Sequence, residues 1–265
     1  MRIAIIGFGN IGRYLAKWVI NDPNFELGYV VARKEIDKDK EDINFKDEPV
    51  EFRKEITSDL INDVDIIIEC ANKEVVSQLL KFDEIDRSGL KLIVISTGGL
   101  YQDKAILKEL KKCEIILPVG AIAGLDAIKA VNDEITSIKL KTTKHPKSLE
   151  GAPFFDNAKI DLLSIDTTQT IWEGEVSEAL SLFPKNINVA ASIYFASKCE
   201  SLNIEIVADP NATSNMHEIT CEGDFGKIYT RTENKPSPSN PKTSFLAVKS
   251  VVSILRNMNS TVKIN

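Results

Sequence analysis

The sequence predicts an α/β protein with two domains: a doubly wound parallel sheet at the N-terminus and a C-terminal α+β domain with a mixed, mostly antiparallel sheet. In residues 1–120, short apolar runs alternate with amphipathic stretches, as in parallel strands that are buried on both faces and connected by helices. After Gly124 apolar and polar residues alternate instead, for example at residues 135–143, which is typical of strands with one solvated face. A length of 265 residues accommodates two domains of this kind.

The N-terminal domain is expected to span residues 1–119 and to be completed by the C-terminal segment 242–265. Its apolar runs predict strands at residues 2–6, 26–32, 65–69, 91–96 and 114–117. Its amphipathic stretches predict helices at residues 11–20, 73–82 and 103–112. Residues 34–55 are highly charged and predict a solvated excursion from the sheet.

The second domain is expected to span residues 120–241 and to serve substrate binding and dimerisation. Its patterns predict strands at residues 135–143, 167–172, 203–208, 217–222 and 227–232, and helices at 176–182 and 189–199. The Pro- and Ser-rich residues 234–241 predict a loop. A final amphipathic helix at residues 242–258 follows, and we expect it to return to the first domain.

Composition excludes several classes of protein. The net charge of −6 gives no broad positive field, so nucleic acid is not an expected partner. No apolar run approaches the roughly 18–20 residues that span a bilayer, so no membrane association is expected. The four cysteines are far apart and form no C-x-x-C pair, which predicts a reducing, cytoplasmic location and no metal site.

A glycine-rich loop lies between the first predicted strand and the first predicted helix. It has the pattern G-x-G-x-x-G and consists of Gly7, Phe8, Gly9, Asn10, Ile11 and Gly12. In this context Gly7 permits a tight turn, Gly9 permits close approach of a pyrophosphate, and Gly12 permits packing of the helix on the strand. The loop therefore predicts a Rossmann domain that binds NAD or NADP at a helix N-terminus.

The second predicted strand ends without the acidic residue that usually binds the ribose 2′-hydroxyl of NAD. Arg33 follows it instead and could pair with the 2′-phosphate of NADP; equally, Arg33 and Lys34 could be a basic pair on the surface. We predict that NADP(H) is accepted at least comparably to NAD(H).

Only two histidines are available for proton transfer. His145 is in a predicted loop, where a histidine is usually incidental. His217 begins a predicted strand, and an imidazole of near-neutral pKa suits oxidation at a carbon that bears OH or NH₂. The alternative for His217 is a residue that caps a turn. Asn188 could bind a ligand or simply cap a helix.

Eight segments together resemble the L-aspartate dehydrogenase family, and the resemblance extends over essentially the whole chain. They are residues 7–12, 69–71, 96–97, 120–126, 183–190, 208–210, 215–217 and 236–244. The last four are the most specific, since a glycine loop is shared by many nucleotide-binding families. One departure is visible at residues 144–146, which read Lys-His-Pro where family members often have Lys-Pro-Pro.

The resemblance implies that NAD or NADP oxidises L-aspartate to iminoaspartate, which water converts to oxaloacetate and ammonia. Iminoaspartate can also feed NAD biosynthesis. The resemblance further implies that His217 is the catalytic residue and that Ala121 and Asn188 contact the cofactor, with Asn188 favoured over Asn186. We also expect a homodimer.

A dianionic substrate requires cations in its site. Lys144, Lys185 and Lys242 are the candidates, although each could equally be a solvated surface lysine. Asp209 and Glu218 are near His217 in sequence and could orient its ring.

Two other functions remain open from the sequence. Homoserine-dehydrogenase-like and dihydrodipicolinate-reductase-like enzymes also join a Rossmann domain to an α+β substrate domain. A non-catalytic NAD(H)-binding sensor is the second alternative, but such sensors usually carry a basic DNA-binding module, and the sequence contains none.

Overall fold

A computed structural model of the chain describes residues 1–38, 41–43, 45, 49–158, 160–184, 187–237 and 240–263. The chain forms two compact units. The first comprises Met1–Pro118 together with the chain from Val248 onward, and the second comprises Val119–Ala247. None of the helices in the described part of the chain is both long and apolar enough to cross a membrane.

The first unit alternates strands and helices. In chain order its elements are β1 (Arg2–Ile6), α1 (Asn10–Ile20), β2 (Glu26–Val31), β3 (Glu51–Arg53), α2 (Ser58–Asn62), β4 (Ile66–Glu69), α3 (Lys73–Leu79), β5 (Lys91–Val94), α4 (Thr97–Gln102) and β6 (Glu114–Ile116).

The second unit mixes the two kinds of element in another order. Its elements are α5 (Leu125–Ala130), β7 (Ile135–Lys144), α6 (Phe154–Asn157), β8 (Gln169–Glu175), α7 (Val176–Leu182), α8 (Ile187–Ser197), β9 (Asn203–Ala208), β10 (Asn215–Gly223), β11 (Gly226–Asn234), β12 (Pro236–Ser237) and β13 (Asn240–Ser244). The last helix, α9 (Phe245–Met258), begins in this unit and continues into the first.

The first unit contains one parallel sheet with the strand order β3-β2-β1-β4-β5-β6. This is the order of a doubly wound Rossmann sheet, so the predicted fold of the N-terminal domain is confirmed. The order reverses between β1 and β4, and ligands of such sheets bind beyond the carboxyl ends of the strands at that point.

The second unit contains a five-stranded sheet with the order β11-β10-β7-β9-β8. Only the β7–β9 pairing is parallel; β10 pairs antiparallel with both β7 and β11, and β8 with β9. The predicted mixed, mostly antiparallel sheet is therefore confirmed. On β10 every second residue is buried, namely His217, Ile219 and Cys221.

The terminal helix supplies part of the core of the first unit. Val248, Val251, Val252 and Leu255 of α9 belong to the same buried cluster as Ile3 and Ile5 of β1. Helix α9 begins three residues later than predicted, because residues 240–244 pair with β12 as a short hairpin instead of continuing the helix.

The prediction of a solvated excursion at residues 34–55 is wrong. Strand β3 pairs in parallel with β2, and both Phe45 and Val50 are buried. The charged residues that the structure describes on this segment are exposed or half-buried, and Glu41 makes a bidentate contact with Arg13 of α1 at 2.6 and 2.8 Å. Its few apolar residues therefore extend the core, and the local excess of charge concealed them.

The prediction of a helix at residues 103–112 is also wrong. The helix in this region is α4, followed by a 3₁₀ turn at Ile106–Lys108. The backbone N–H groups of Lys111 and Lys112 donate to the carboxylate of Asp86 at 2.8 and 2.7 Å, so they are unavailable for a helical ladder. Close approach of α3 requires glycine at position 99 of α4, because a Cβ there would lie 2.9 Å from the carbonyl oxygen of Lys73.

Candidate active site

The glycine loop has the geometry that its pattern predicts. Gly7 has φ = +104°, and its N–H donates to the carbonyl of Val31 at 2.8 Å. A Cβ on Gly7 would lie 2.8 Å from the backbone nitrogen of Ala71, and a Cβ on Gly12 would lie 2.0 Å from the carbonyl oxygen of Gly7. Glycine is therefore required at both positions for helix α1 to pack against the ends of β1 and β4.

Gly9 is different, because a Cβ there would meet no atom within 4 Å. Helix α1 begins at the next residue, Asn10, and its first turn contains no acidic side chain. Phe8 is buried and Ile11 is half-buried, so these two side chains belong to the core. The loop thus offers open space and backbone N–H groups, which fits the pyrophosphate of a dinucleotide.

A buried carboxylate that the sequence analysis did not identify lies next to this loop. Glu69, at the end of β4, is completely buried and accepts hydrogen bonds from the backbone nitrogens of Ala71 at 2.8 Å and Ser96 at 2.9 Å. The Ser96 hydroxyl donates a third at 2.9 Å. Burial raises the pKa of Glu69, and these hydrogen bonds oppose the rise. The carboxylate ties together the turns that follow β4 and β5.

Arg33 follows β2 and is exposed. It therefore occupies the end of the second strand, where a Rossmann domain usually places the residue that distinguishes NAD from NADP.

His217 lies within the sheet of the second unit rather than at an exposed turn. It is 5% exposed, and its Nδ1 is 3.1 Å from the hydroxyl oxygen of Thr142 on β7. In register, Thr142 is opposite His217 on one side and Thr232 of β11 is opposite on the other. Desolvation, reinforced by the positive charge of Lys144, lowers the pKa of His217 from 6.5 to about 3. The pKa of His217 therefore lies well below the near-neutral value assumed from the sequence, and the imidazole is uncharged at neutral pH.

The two acidic neighbours suggested by the sequence have other partners. Asp209 accepts the backbone N–H of Asn211 at 2.9 Å, and Glu218 accepts the hydroxyl of Tyr229 at 2.5 Å. The ring of His217 is instead held by Thr142, which is distant in sequence and became apparent only from the strand pairing.

Among the three lysines considered, the structure brings Lys144 to His217. Lys144 is two residues beyond Thr142 on β7, so its side chain leaves the same face of the sheet as that of His217. Burial lowers the pKa of the Lys144 ammonium from 10.5 to about 8. Lys185 lies outside the described residues, as does the side chain of Lys242.

Ala121 is anchored to the same end of the sheet. Its carbonyl oxygen accepts the hydroxyl of Thr232 and the side-chain amide of Asn234, both at 2.8 Å. Asn234 is buried, and its side-chain oxygen Oδ1 accepts a hydrogen bond from the hydroxyl of Ser244 at 2.8 Å. Because Thr232 is also the register partner of His217, one residue connects the predicted cofactor contact to the predicted catalytic residue.

Asn188 is exposed in the first turn of α8, and its carbonyl accepts the hydroxyl of Ser192 at 3.0 Å. As the second residue of the helix it is not the N-cap. Helix α8 packs against α5, which follows the segment containing Ala121. Asn186 lies outside the described residues.

The described residues contain no cluster of three or more His, Cys, Asp or Glu side chains placed to bind a metal ion.

The first unit offers an open backbone loop suited to phosphate. The second unit offers a neutral imidazole, that of His217, beside the ammonium group of Lys144.

Comparison with known proteins covers both units. Residues 126–258 match the family model "Aspartate dehydrogenase, C-terminal", and residues 1–120 match "Dihydrodipicolinate reductase, N-terminus". The chain is 38% identical to the L-aspartate dehydrogenase of Methanococcoides burtonii over 97% of this chain and 96% of that protein. It is 37% identical to that of Nitrosopumilus maritimus over 96% and 95%. The crystal structure of aspartate dehydrogenase from Thermotoga maritima aligns with a TM-score of 0.77 at 30% identity, covering 100% of this chain and 99% of that one.

Alanine at Gly9 and at Gly12 should separate ligand binding from folding. In Gly12→Ala the new Cβ is 2.0 Å from the Gly7 carbonyl, so the backbone must shift and we expect a loss of about 1–3 kcal/mol in stability. Gly9 has φ = −81° and open space around it, so Gly9→Ala should unfold like the wild type but bind dinucleotide more weakly. Thermal melts and fluorescence titration measure the two effects; an unstable Gly9→Ala protein, or one with unchanged affinity, would contradict this.

The low pKa of His217 should make the protein less stable in mild acid. The unfolded chain takes up this proton near pH 6.5, whereas the folded chain does so only near pH 3. This contribution is therefore fully present above pH 6.5 and is lost as the pH falls toward 3, by on the order of 2 kcal/mol between pH 7 and pH 5. Urea unfolding of wild type and His217→Asn at both pH values measures it. The variant should lose less stability over that interval, and parallel losses would show that His217 is not the group responsible.

Proposed function

This chain belongs to the L-aspartate dehydrogenase family, and we propose that it oxidises L-aspartate to iminoaspartate with a nicotinamide dinucleotide. Water then converts iminoaspartate to oxaloacetate and ammonia. The observation that carries the proposal is the neutral imidazole of His217, held by Thr142 and beside the ammonium group of Lys144. Reduction of cofactor with a panel of amino acids tests it, and aspartate should be the preferred substrate.

The cofactor is proposed to bind through backbone groups of the loop from Gly7 to Gly12, with further contacts from Ala121 and Asn188. The open space at Gly9 and the uncapped first turn of α1 support the phosphate contacts. The hydrogen bonds from Thr232 and Asn234 support a fixed position for Ala121. A bound nicotinamide dinucleotide would supply the hydride acceptor for the α-carbon of the substrate.

Lys144 is the cation that we assign to the α-carboxylate of aspartate. Its side chain leaves the same sheet face as that of His217, and a half-buried ammonium gains more from an anion than a solvated one does. The carboxylate would in turn offset the desolvation that lowers the pKa of Lys144.

His217 is proposed to accept a proton from the substrate ammonium at Nε2, since Nδ1 is engaged with Thr142. With a pKa of about 3 the imidazole by itself is a weak base. A bound dicarboxylate adds negative charge beside it and counters Lys144, which raises the pKa of His217. Proton transfer would therefore depend on the substrate being in place. After release of that proton, the same nitrogen can deprotonate the water that attacks the imine.

The alternative oxidoreductases receive less support. The match to dihydrodipicolinate reductase is confined to residues 1–120, the nucleotide-binding part, whereas residues 126–258 match aspartate dehydrogenase. A non-catalytic NAD(H) sensor would turn over no amino acid.

We further propose that the protein is a homodimer, which sedimentation would measure. We also propose that iminoaspartate can enter NAD biosynthesis before water reaches it.

Replacing His217 by alanine should lower kcat for aspartate oxidation by about 10²–10⁴-fold, the usual contribution of a general acid–base group. Thr142→Val keeps the imidazole but removes its hydrogen bond, so we expect a smaller loss. Cofactor affinity is the control and should stay near wild type in both variants. Because His217 and Thr142 are buried and hydrogen-bonded to each other, both variants should melt at a lower temperature, so kcat is measured below the melting range of each. A His217→Ala enzyme with nearly full kcat would remove His217 from the mechanism.

Replacing Arg33 by alanine should raise KM for NADP by about tenfold or more and leave KM for NAD nearly unchanged, because only NADP carries the phosphate that the guanidinium would bind. Lys34→Ala is the matched control, since Lys34 is exposed on the same turn. Steady-state kinetics with both cofactors measures the effect. Equal losses for the two cofactors, or no use of NADP by the wild type, would show that Arg33 has no such role.

A further inference from the structure

A small pocket opens at one end of the sheet in the second unit. Its volume is about 160 Å³. Three segments line it: the turn after β7, through His145 and Ser148; residues 212–215, which lead into β10; and Asn234, at the end of β11.

Strand register places this pocket beside the candidate catalytic residue. Asn215 and His217 are two residues apart on β10, so their side chains leave the same face of the sheet. Asn215 pairs with Asn234, and His217 pairs with Thr232. The pocket is therefore displaced from His217 by two residues along the strand, or about 7 Å.

The lining of the pocket is polar and carries no carboxylate among the described residues. Its lining includes three residues with a hydroxyl group, Ser148, Thr213 and Ser214, and one with a carboxamide, Asn215. Asn234 is not assigned as a ligand contact, because its side-chain amide donates to the carbonyl of Ala121 and its Oδ1 accepts the hydroxyl of Ser244. Hydrogen-bond donors with no acidic side chain beside them suit a small carboxylate, even in a protein whose net charge is −6.

His145 contributes a donor whose proton position is fixed. Its Nδ1 accepts the backbone N–H of Lys147 at 3.2 Å. A ring nitrogen that accepts a hydrogen bond carries no proton, so the proton of the imidazole is on Nε2. His145 therefore lines the pocket as an N–H donor, although the sequence suggested an incidental loop residue.

We propose that this pocket binds the side-chain carboxylate of L-aspartate, with His145 Nε2 and the Asn215 amide as donors. The inference rests on the proposed function and extends it, because Lys144 beside His217 then holds the α-carboxylate. The two carboxylates of one substrate would thus occupy neighbouring positions along β7 and β10. A volume of about 160 Å³ is below the roughly 300–1,000 Å³ of sites for drug-sized ligands, so the pocket suits a small group such as one carboxylate.

The variant that tests this proposal is His145→Asn. An asparagine oxygen can accept the N–H two residues ahead, as in an Asx turn, so the turn is retained while the Nε2 donor is lost. Asn215→Ala removes the second donor independently. Lys147→Ala is the matched control, because Lys147 is exposed on the same turn and does not line the pocket.

Succinate is the probe, since it has both carboxylates but no amino group to oxidise. We expect the dissociation constant of succinate, measured by calorimetry with the full-length protein, to rise about tenfold to a hundredfold in His145→Asn and in Asn215→Ala. Lys147→Ala should bind succinate as the wild type does. Propionate, with one carboxylate, should bind weakly and equally to all four proteins.

Kinetics provide the second measurement. KM for aspartate should rise by the same factor in the two pocket variants, while kcat and KM for the cofactor change little. Succinate affinity within about twofold of wild type in both variants would overturn the pocket assignment. If the wild type binds succinate through His145 and Asn215 but oxidises no aspartate, the proposed function fails and the carboxylate pocket stands.

Discussion

The register of three antiparallel strands is the constraint on which the candidate site depends. Pairing of β10 with β7 and β11 sets His217 opposite Thr142 and Thr232, and Asn215 opposite Asn234. A slip of one residue would turn every one of these side chains to the opposite face of the sheet. The register is fixed by apolar residues of the same face, for example Ile219 of β10 and Leu140 of β7, both of which are buried. The core and the chemistry of the second unit are therefore specified together.

The candidate ligand contacts of the two units are of different kinds. In the first, the candidate contacts are backbone groups of a loop whose close packing requires glycine where a Cβ would collide, and this requirement makes the motif visible in the sequence. In the second, side chains from separate strands converge, and no motif of fixed spacing identifies them in the sequence. Thr142 and His217 are 75 positions apart, yet their polar atoms are 3.1 Å from each other.

This difference explains how much could be predicted from the sequence. Both sheet types and most strands followed from apolar periodicity, and the glycine loop followed from its motif. Strand β3 was missed because charged residues surround it in the sequence. The helix expected at residues 103–112 does not continue to its predicted end, because the backbone N–H groups of Lys111 and Lys112 donate to Asp86. The low pKa of His217 could not be predicted, because it results from burial and from Lys144 on another strand. The pocket beside His145 likewise exists only once three segments meet.

The return of α9 to the first unit has a consequence for biosynthesis. The core around β1 is completed by Val248, Val251, Val252 and Leu255, which are translated after the whole second unit. A nascent chain that has left the ribosome as far as β6 has every strand of its parallel sheet but lacks the helix that covers part of it. The second unit, continuous in sequence, can close its own core earlier. The core around β1, the first strand to be synthesised, is thus the one whose last members are synthesised after everything else.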